Sequence, residues 1–343
     1  MTVMIGIDPH KASHTAVAID GDEVVISQTT VRASSGQTGR LRAWAATLDE
    51  PHEWAVESAA GLGYLVAQQL LAAGETVFDV APMLASRVRV LGSGKSQKND
   101  PNDARSVAIA AMRSNQIRLV VTEDHSMVLR LLVKRHRDMA QLRNKHCNRL
   151  HAVFLELRPG GITGKIVATQ AIGVLDAVVA GDEVTRHRVL VAGELVDDLD
   201  RLDQSLKATR KRIVAAVAAS GTTVTDIVGI GPVCAALILA HTGDITRFAS
   251  KARYASYNAT APVEASSGGK SRHRLNQRGN RQLNFAIHIA AVSQLRYPGE
   301  GRTFYDRKIA DGKSSKEAIR ALKRRISDRV FRHLVADARR LQN

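Results

Sequence analysis

The chain is short of three things. Only 4% of its 343 residues are aromatic, it has two cysteines, and its 33 Asp and Glu are far outnumbered by 49 Lys and Arg. Few aromatics leave few platforms on which unpaired bases could stack. Cys147 and Cys234 lie far apart and form no Cys-x-x-Cys. That excludes a zinc ribbon or a thiol–disulfide centre and suits a reducing cytoplasm. No apolar run approaches the roughly 20 residues that span a bilayer, and the opening residues do not read as a signal peptide, so no membrane partner is expected. Positive charge is in excess: the net charge is +16, and residues 251–343 carry +14 of it. Such asymmetry points to a polyanion, of which the nucleic-acid backbone is the commonest.

Hydrophobic spacing predicts an α/β region followed by an all-α one. Val3–Asp8, Thr15–Asp20 and Val24–Val31 read as short strands joined by tight connections, which favours antiparallel neighbours. Helical spacing over Leu41–Leu48 and Leu62–Ala73 then alternates with strands at Glu53–Glu57 and Thr76–Val80. This order is that of a ribonuclease-H-like domain, expected to occupy residues 1–123. Ser86–Asn102 is expected to be a polar loop. Its Gly92-Ser93-Gly94-Lys95-Ser96 lacks the first glycine of a P-loop, since Arg89 stands there, so nucleotide binding is excluded. Lys95 and Lys98 remain as a phosphate clamp. A helix opening at Pro101 or Asn102 should run to about Ser114.

Residues 124–216 predict two long helices. Val128–Leu157 carries an apolar stripe together with Arg130, Lys134, Arg135, Arg137, Arg143, Lys145 and Arg149, a basic face that could lie along a duplex. Leu195, Leu199, Leu202, Leu206, Thr209 and Ile213 step by four and three, a coiled-coil-like seam. The seam fits either pairing with another chain or packing within this one. Residues 217–343 form a third, mostly helical part. In it Gly229-Ile230-Gly231-Pro232 before an apolar helix reads as a helix-hairpin-helix-like turn, and Asn280 can cap a helix running to about Leu295. A basic run, Lys270 to Arg281, lies between them.

Four carboxylates carry the chemistry. Asp8 ends the first strand, Glu57 closes the fourth, and Asp100 and Asp103 share one helical face. In ribonuclease-H-like order the first and fourth strands are adjacent, so these oxygens can converge on hard divalent cations and serve phosphodiester chemistry. Taken singly each has a plainer reading, as a strand-end turn or a helix-start pair favoured by the dipole.

The set Gly6-Ile7-Asp8, Glu57-Ser58 and Lys98-Asn99-Asp100-Pro101-Asn102-Asp103-Ala104 resembles the catalytic half of the DEDD insertion-sequence transposases, the group that includes Piv/MooV-type invertases. Gly229-Ile230-Gly231-Pro232, Ala261-Pro262, Ser266-Ser267-Gly268 and Arg278-Gly279-Asn280-Arg281-Gln282-Leu283 resemble that family's second domain. The resemblance implies a prokaryotic, nucleoid-associated recombinase with a RuvC-like domain holding Mg²⁺ through Asp8, Glu57, Asp100 and Asp103. It implies a nucleophilic serine at Ser267, with Ser266 as the neighbouring alternative. Arg272, His273, Arg274, Arg278 and Arg281, with Lys270, would hold phosphates. Implied partners are donor and target double-stranded DNA, a non-coding bridge RNA and further copies of the chain in a dimer or tetramer. Two other readings stay open: a RuvC-like endonuclease that uses water, and a DNA-binding protein without activity.

Overall fold

The structure, a computed structural model, describes residues 2–48, 50–93, 99–114, 117–264, 273–274, 276 and 279–342, with backbone alone at 91–93, 264, 273 and 274. The chain divides into two compact units, Met1–Glu123 and Asp124–Asn343.

The first unit is a three-layer sandwich. Its strands are β1 (Val3–Pro9), β2 (Ser13–Ile19) and β3 (Val25–Arg32); α1 (Gln37–Ala45) follows, then β4 (His52–Glu57), α2 (Tyr64–Ala72), β5 (Val77–Val80), α3 (Pro82–Ser93), α4 (Asp100–Arg113) and β6 (Arg118–Leu119). The sheet order is β3-β2-β1-β4-β5-β6. β1, β2 and β3 pair antiparallel, whereas β4 pairs parallel with both β1 and β5. This is the ribonuclease-H-like arrangement expected from the strand order, with β1 and β4 side by side at its centre.

Alternation along each strand decides which layer a residue meets. Val3, Ile5 and Ile7 of β1, with Trp54 and Val56 of β4, pack with Leu41 of α1 and Val66 and Leu70 of α2. Met4 and Ala55 face the other way, onto Ala104, Val107 and Ala108 of α4. By the same two-residue period Asp8 and Glu57 belong to the α4 face. Gly6 sets how closely that helix approaches. A Cβ on Gly6 would lie 2.1 Å from the Ala104 carbonyl oxygen and 2.6 Å from the Ala108 nitrogen, so only glycine admits the helix backbone there.

One expectation fails. Residues 86–93 are not loop but the last two-thirds of α3. Leu84, Ala85 and Val88, at helical spacing, pack onto the α4-side core, and this burial outweighs the polar look of Ser86, Arg87 and Arg89.

The second unit is built on α5 (His125–Leu157), α6 (Ala168–Asp176) and α7 (Glu183–Ala219). Asp124 and Asp182 cap the two long helices, accepting from Ser126 N at 2.9 Å and Thr185 N at 2.8 Å. Three cross-links show them antiparallel: Arg143 with Asp203, His146 with Asp198 at 3.3 Å, and Glu156 with Arg188 at 2.7 Å. Leu199 and Ile213 of the coiled-coil-like seam are buried within the chain, the first beside Leu150 and Phe154 of α5, the second in the core that includes Leu129 and Val133.

The remaining elements are α8 (Pro232–Thr242), α9 (Lys251–Tyr257), β7 (Val263–Glu264), β8 (His273–Arg274), α10 (Arg281–Leu295), α11 (Glu300–Ala310) and α12 (Ser315–Gln342). Leu129 and Val133 of α5 and Ile213 and Val217 of α7 enter the same core as Leu237, Ile287 and Ile326 of α8, α10 and α12. The base of the helical hairpin is therefore continuous with the C-terminal helices. In the glycine-rich turn, Gly229 has φ +87°, and a Cβ there would sit 2.6 Å from the Ala290 carbonyl oxygen. That glycine serves close packing against α10.

Candidate active site

Asp8 lies one residue from the end of β1 and is only 5% exposed. β4 delivers Glu57 next to it: Ile7 and Val56 are register partners, and the two carboxylates follow one step further on. Glu57 is half-buried, less enclosed than an apolar strand suggests. The chain turns sharply behind it, with Ser58 at φ 53° and Gly61 N donating to Ser58 O at 2.7 Å. Gly63 is needed there, since its Cβ would lie 2.5 Å from Val56 Cγ1 and 2.7 Å from Glu57 O.

α4 brings the second pair. Asn99 caps it, accepting from Asn102 N at 2.9 Å, and Pro101 sits in the first turn. Asp100 and Asp103 both fall in that turn, where the helix dipole favours negative charge. Asp103 is 8% exposed and ion-paired with Arg89 of α3. Asp8, His10, Glu57, Arg89 and Asp103 line one cleft of about 320 Å³. At its mouth, ligand atoms of Asp8, His10 and the exposed Asp100 all lie within 4.8 Å of one another.

The electrostatics are those of an overfilled anionic site. Burial pushes the Asp8 carboxyl above the usual carboxylate range, and Asp103 and Asp100 add to this against the opposing pull of His10. Burial likewise raises Glu57, with Asp8 and Asp103 reinforcing it. Asp8 Oδ2 is buried without a hydrogen-bond partner, with His10 Nδ1 at 3.5 Å. A buried, unsatisfied oxygen among several carboxylates is costly unless a cation joins it. The donor set is mostly oxygen, which suits a hard divalent ion, and the residues present fit one.

Two lining residues escape a sequence reading. His10 is visible only as part of a turn, and the turn itself brings it back, with His10 N donating to Ser13 O at 2.8 Å. Arg89 carries no sequence mark at all. It reaches the cleft because residues 86–93 are helical.

The other expected site residues divide by what the structure describes. Arg135 is exposed on α5, and Arg281 is exposed at the start of α10, where Asn280 accepts from Gln282 N and Leu283 N at 3.0 and 3.1 Å. His273 and Arg274 form the backbone of β8, which pairs with β7. Lys95, Lys98, Ser266, Ser267, Lys270, Arg272 and Arg278 lie outside the described residues. The base of the segment that carries the two serines is well fixed. Asn280 N donates to Tyr257 O at 2.7 Å, and Asn284 Nδ2 to Asn258 O at 2.9 Å. Lys323 Nζ donates to Asn284 Oδ1 at 2.6 Å, and Asn258 Nδ2 to Ser327 Oγ at 2.8 Å.

A ribonuclease-H-like sheet with Asp8, Glu57 and Asp103 at one cleft and Asp100 beside it defines the class: a DEDD-type enzyme of phosphodiester chemistry. Comparison with known proteins identifies the family. Residues 5–159, which hold all four carboxylates, match the IS110-type DEDD transposase model, and residues 221–306, which hold Ser266 and Ser267, match that of the IS116/IS110/IS902 transposases. The 44.8 kDa protein of insertion element IS116 from Streptomyces clavuligerus is 27% identical over 95% of this chain and 93% of its own length. The 42 kDa protein of IS900 from Mycobacterium paratuberculosis is 25% identical over 94% of this chain and 93% of its own. A probable family 20 transposase of Pseudomonas aeruginosa is 24% identical over 69% and 70%. Among solved structures, a chain of T. thermophilus RuvC in complex with a Holliday junction substrate aligns at 20% identity over 35% of this chain and all of that one, with a TM-score of 0.27. The fold assignment rests on the strand order above. The chain belongs to the IS110-type DEDD transposases, and it is a DNA transposase.

Proposed function

We propose that the protein is a Mg²⁺-dependent, RNA-guided site-specific DNA recombinase with Ser267 as its nucleophile. The observation that carries this reading is the gathering of Asp8, Glu57 and Asp103 in one cleft with an Asp100 oxygen within 4.8 Å of Asp8. Asp8, Glu57, Asp100 and Asp103 would hold the cation. When bound, it offsets their mutual repulsion and polarises phosphoryl oxygens. Arg89, ion-paired with Asp103, would compete with a cation for that carboxylate. His10, with Nδ1 3.5 Å from Asp8 Oδ2, is a further candidate ligand beside Asp8 and Asp100.

Ser267 Oγ attacks a DNA phosphorus. The Oγ–P bond forms as the bond from phosphorus to the leaving sugar oxygen breaks, the serine proton is lost to base, and the freed sugar oxygen takes up a proton. Reversal by a hydroxyl of the second DNA restores the serine and completes exchange. Arg272, His273, Arg274, Arg278 and Arg281, with Lys95, Lys98, Arg135 and Lys270, hold phosphates. Base pairing by a bridge RNA supplies sequence choice, which a protein rich in Arg and Lys and poor in aromatics need not read itself. Two DNA partners call for several active sites, hence a dimer that pairs into a tetramer in the bacterial cytoplasm.

A denaturing gel of protein incubated with labelled DNA, guide RNA and Mg²⁺ tests this. Wild type is expected to give a covalent protein–DNA adduct that both Ser267→Ala and Asp8→Asn lose. An adduct in Ser267→Ala overturns the serine. Cleavage by wild type without any adduct leaves a RuvC-like hydrolytic nuclease instead.

A further inference from the structure

The basic face of α5 is not uniform. Arg143 is engaged inside the hairpin, paired with Asp203 and donating to Ile166 O at 3.2 Å. Arg130, Lys134, Arg137 and Gln141 form a separate stripe at intervals of four, three and four residues, one helical face. That stripe is one wall of a cleft of about 520 Å³. Leu237 and His241 of α8 and Gln282, in the first turn of α10, line it as well.

Three features set this cleft apart from an ordinary solvated charge row. First, Asp138 is the one carboxylate along it against three permanent cations, and none of the three has an ion-pair partner among the described residues. Second, Gln282 keeps a buried amide oxygen with no hydrogen-bond partner. Rotation of that amide exchanges its oxygen and nitrogen, so it can meet an acceptor or a hydroxyl. Third, His241 stands among like charges. Burial, then Arg130 and Arg137, hold its pKa down to about 4, which keeps it neutral and able to donate one N–H. Arg137 also lies 5.2 Å from the centre of the half-exposed Phe285 ring, which fixes its guanidinium near the cleft. From Arg130 to Arg137 the stripe runs about 10 Å along the helix, longer than one small anion needs.

We infer that the cleft between α5, α8 and α10 binds the phosphodiester backbone of a nucleic-acid strand, with Arg130, Lys134 and Arg137 on successive phosphates and Gln282 and His241 as hydrogen-bonding partners. This deepens the recombinase reading by naming a strand-holding site that is distinct from the carboxylate cleft and uses none of its residues.

The test is binding of three labelled ligands of one sequence, single-stranded DNA, duplex DNA and RNA, to the full chain across a salt series. The variant is Arg130→Gln/Lys134→Gln/Arg137→Gln. Its control, Lys207→Gln/Lys211→Gln/Arg212→Gln, removes the same charge from exposed positions of α7. The cleft variant is expected to lose about tenfold or more in affinity at low salt. Its log–log salt slope should fall by about 2 to 3, one unit or slightly less per lost phosphate contact. The ligand with the largest loss identifies the strand. Equal losses in cleft variant and control, or an unchanged slope in the cleft variant with native circular dichroism, overturn the site. Gln282→Ala and Phe285→Leu, which leave the net charge alone, provide a second arm: Gln282→Ala should weaken binding several-fold and Phe285→Leu only slightly. Asp8→Asn, measured in parallel, should bind as wild type does and fail to cleave. If Asp8→Asn cleaves, the recombinase reading fails while the binding result stands on its own.

Discussion

Residues 2–123 crowd like charges into a sheet-backed cleft, whereas residues 124–342 spread opposite charges over helix surfaces. In the first unit the spacing is dictated by the sheet. The two-residue period puts Asp8 and Glu57 on the α4 face, parallel pairing makes them neighbours, and Gly6 lets α4 bring Asp103 down onto them. In the second unit, helices expose basic residues along their length, and the cleft lined by α5, α8 and α10 gathers three of them. The difference teaches where each unit is sensitive. On the proposed reading an ångström matters in the first, where side chains would share one cation, and net charge matters in the second, where a polyanion would be the partner.

The largest expected effect is on activity. Asp8→Asn should lower strand cleavage by at least about a thousandfold, since it removes one member of a cooperating set. The same change should leave the first unit at least as stable as wild type in a thermal melt. The sign follows from linkage: a carboxyl raised in the folded state stabilises only while protonated, and its charge becomes a cost as pH rises through the folded pKa. A lower melting temperature for Asp8→Asn would show that the crowding is not strained.

Gly6→Ala sharpens the contrast from the packing side. The added methyl meets helix backbone rather than a movable side chain, so about 3 kcal/mol or more should be lost from the first unit, with the second unit's transition unchanged. Chemical denaturation followed by Trp54, buried in the first unit's core, reads this directly. A loss below about 1 kcal/mol would mean that α4 does not sit on β1 as described.

The second unit has its own buried carboxylate, and it behaves oppositely. Burial pushes Asp337 up, but hydrogen bonds from Thr223 Oγ1 at 2.7 Å, Thr223 N at 2.9 Å and Thr222 Oγ1 at 2.8 Å, with Arg340, hold its pKa below the usual range. A depressed carboxyl stabilises above its unfolded pKa, and that stability is lost as pH falls through the folded one. Asp337→Asn should therefore cost about 2 kcal/mol at neutral pH. The gap from wild type should shrink below pH 3.8, the ordinary carboxylate value. A gap independent of pH would remove charge from the explanation.

The smallest effect belongs to the hairpin surface. Arg188→Ala breaks an exposed pair with Glu156 and should cost under about 1 kcal/mol, less than Arg143→Ala, which also strips a donor from Ile166 O. Urea denaturation of both variants checks the ranking, and equal losses would contradict it.

The sheet was legible because its strands are short apolar runs with period two and its connections are tight. Asp8, Glu57, Asp100 and Asp103 were legible because each sits at the end of such a run or in a capped first turn. Residues 86–93 were not, since Arg87, Arg89 and Ser86 hide a helical spacing that only Leu84, Ala85 and Val88 disclose when packed. Arg89 entered the cleft with that helix, and His10 with a turn whose closure is a backbone hydrogen bond. The cleft with Gln282 and His241 joins residues more than a hundred positions apart, which no local pattern reveals.

Calorimetric titration of Mg²⁺, and of Mn²⁺ in parallel, into the wild-type chain and into Asp8→Asn tests the central claim most directly. Wild type should bind the cation with release of protons from the crowded carboxyls, and Asp8→Asn should lose most of that affinity while keeping its fold. Equal binding by the two proteins, or no binding by a wild type that still cleaves DNA, would contradict the account.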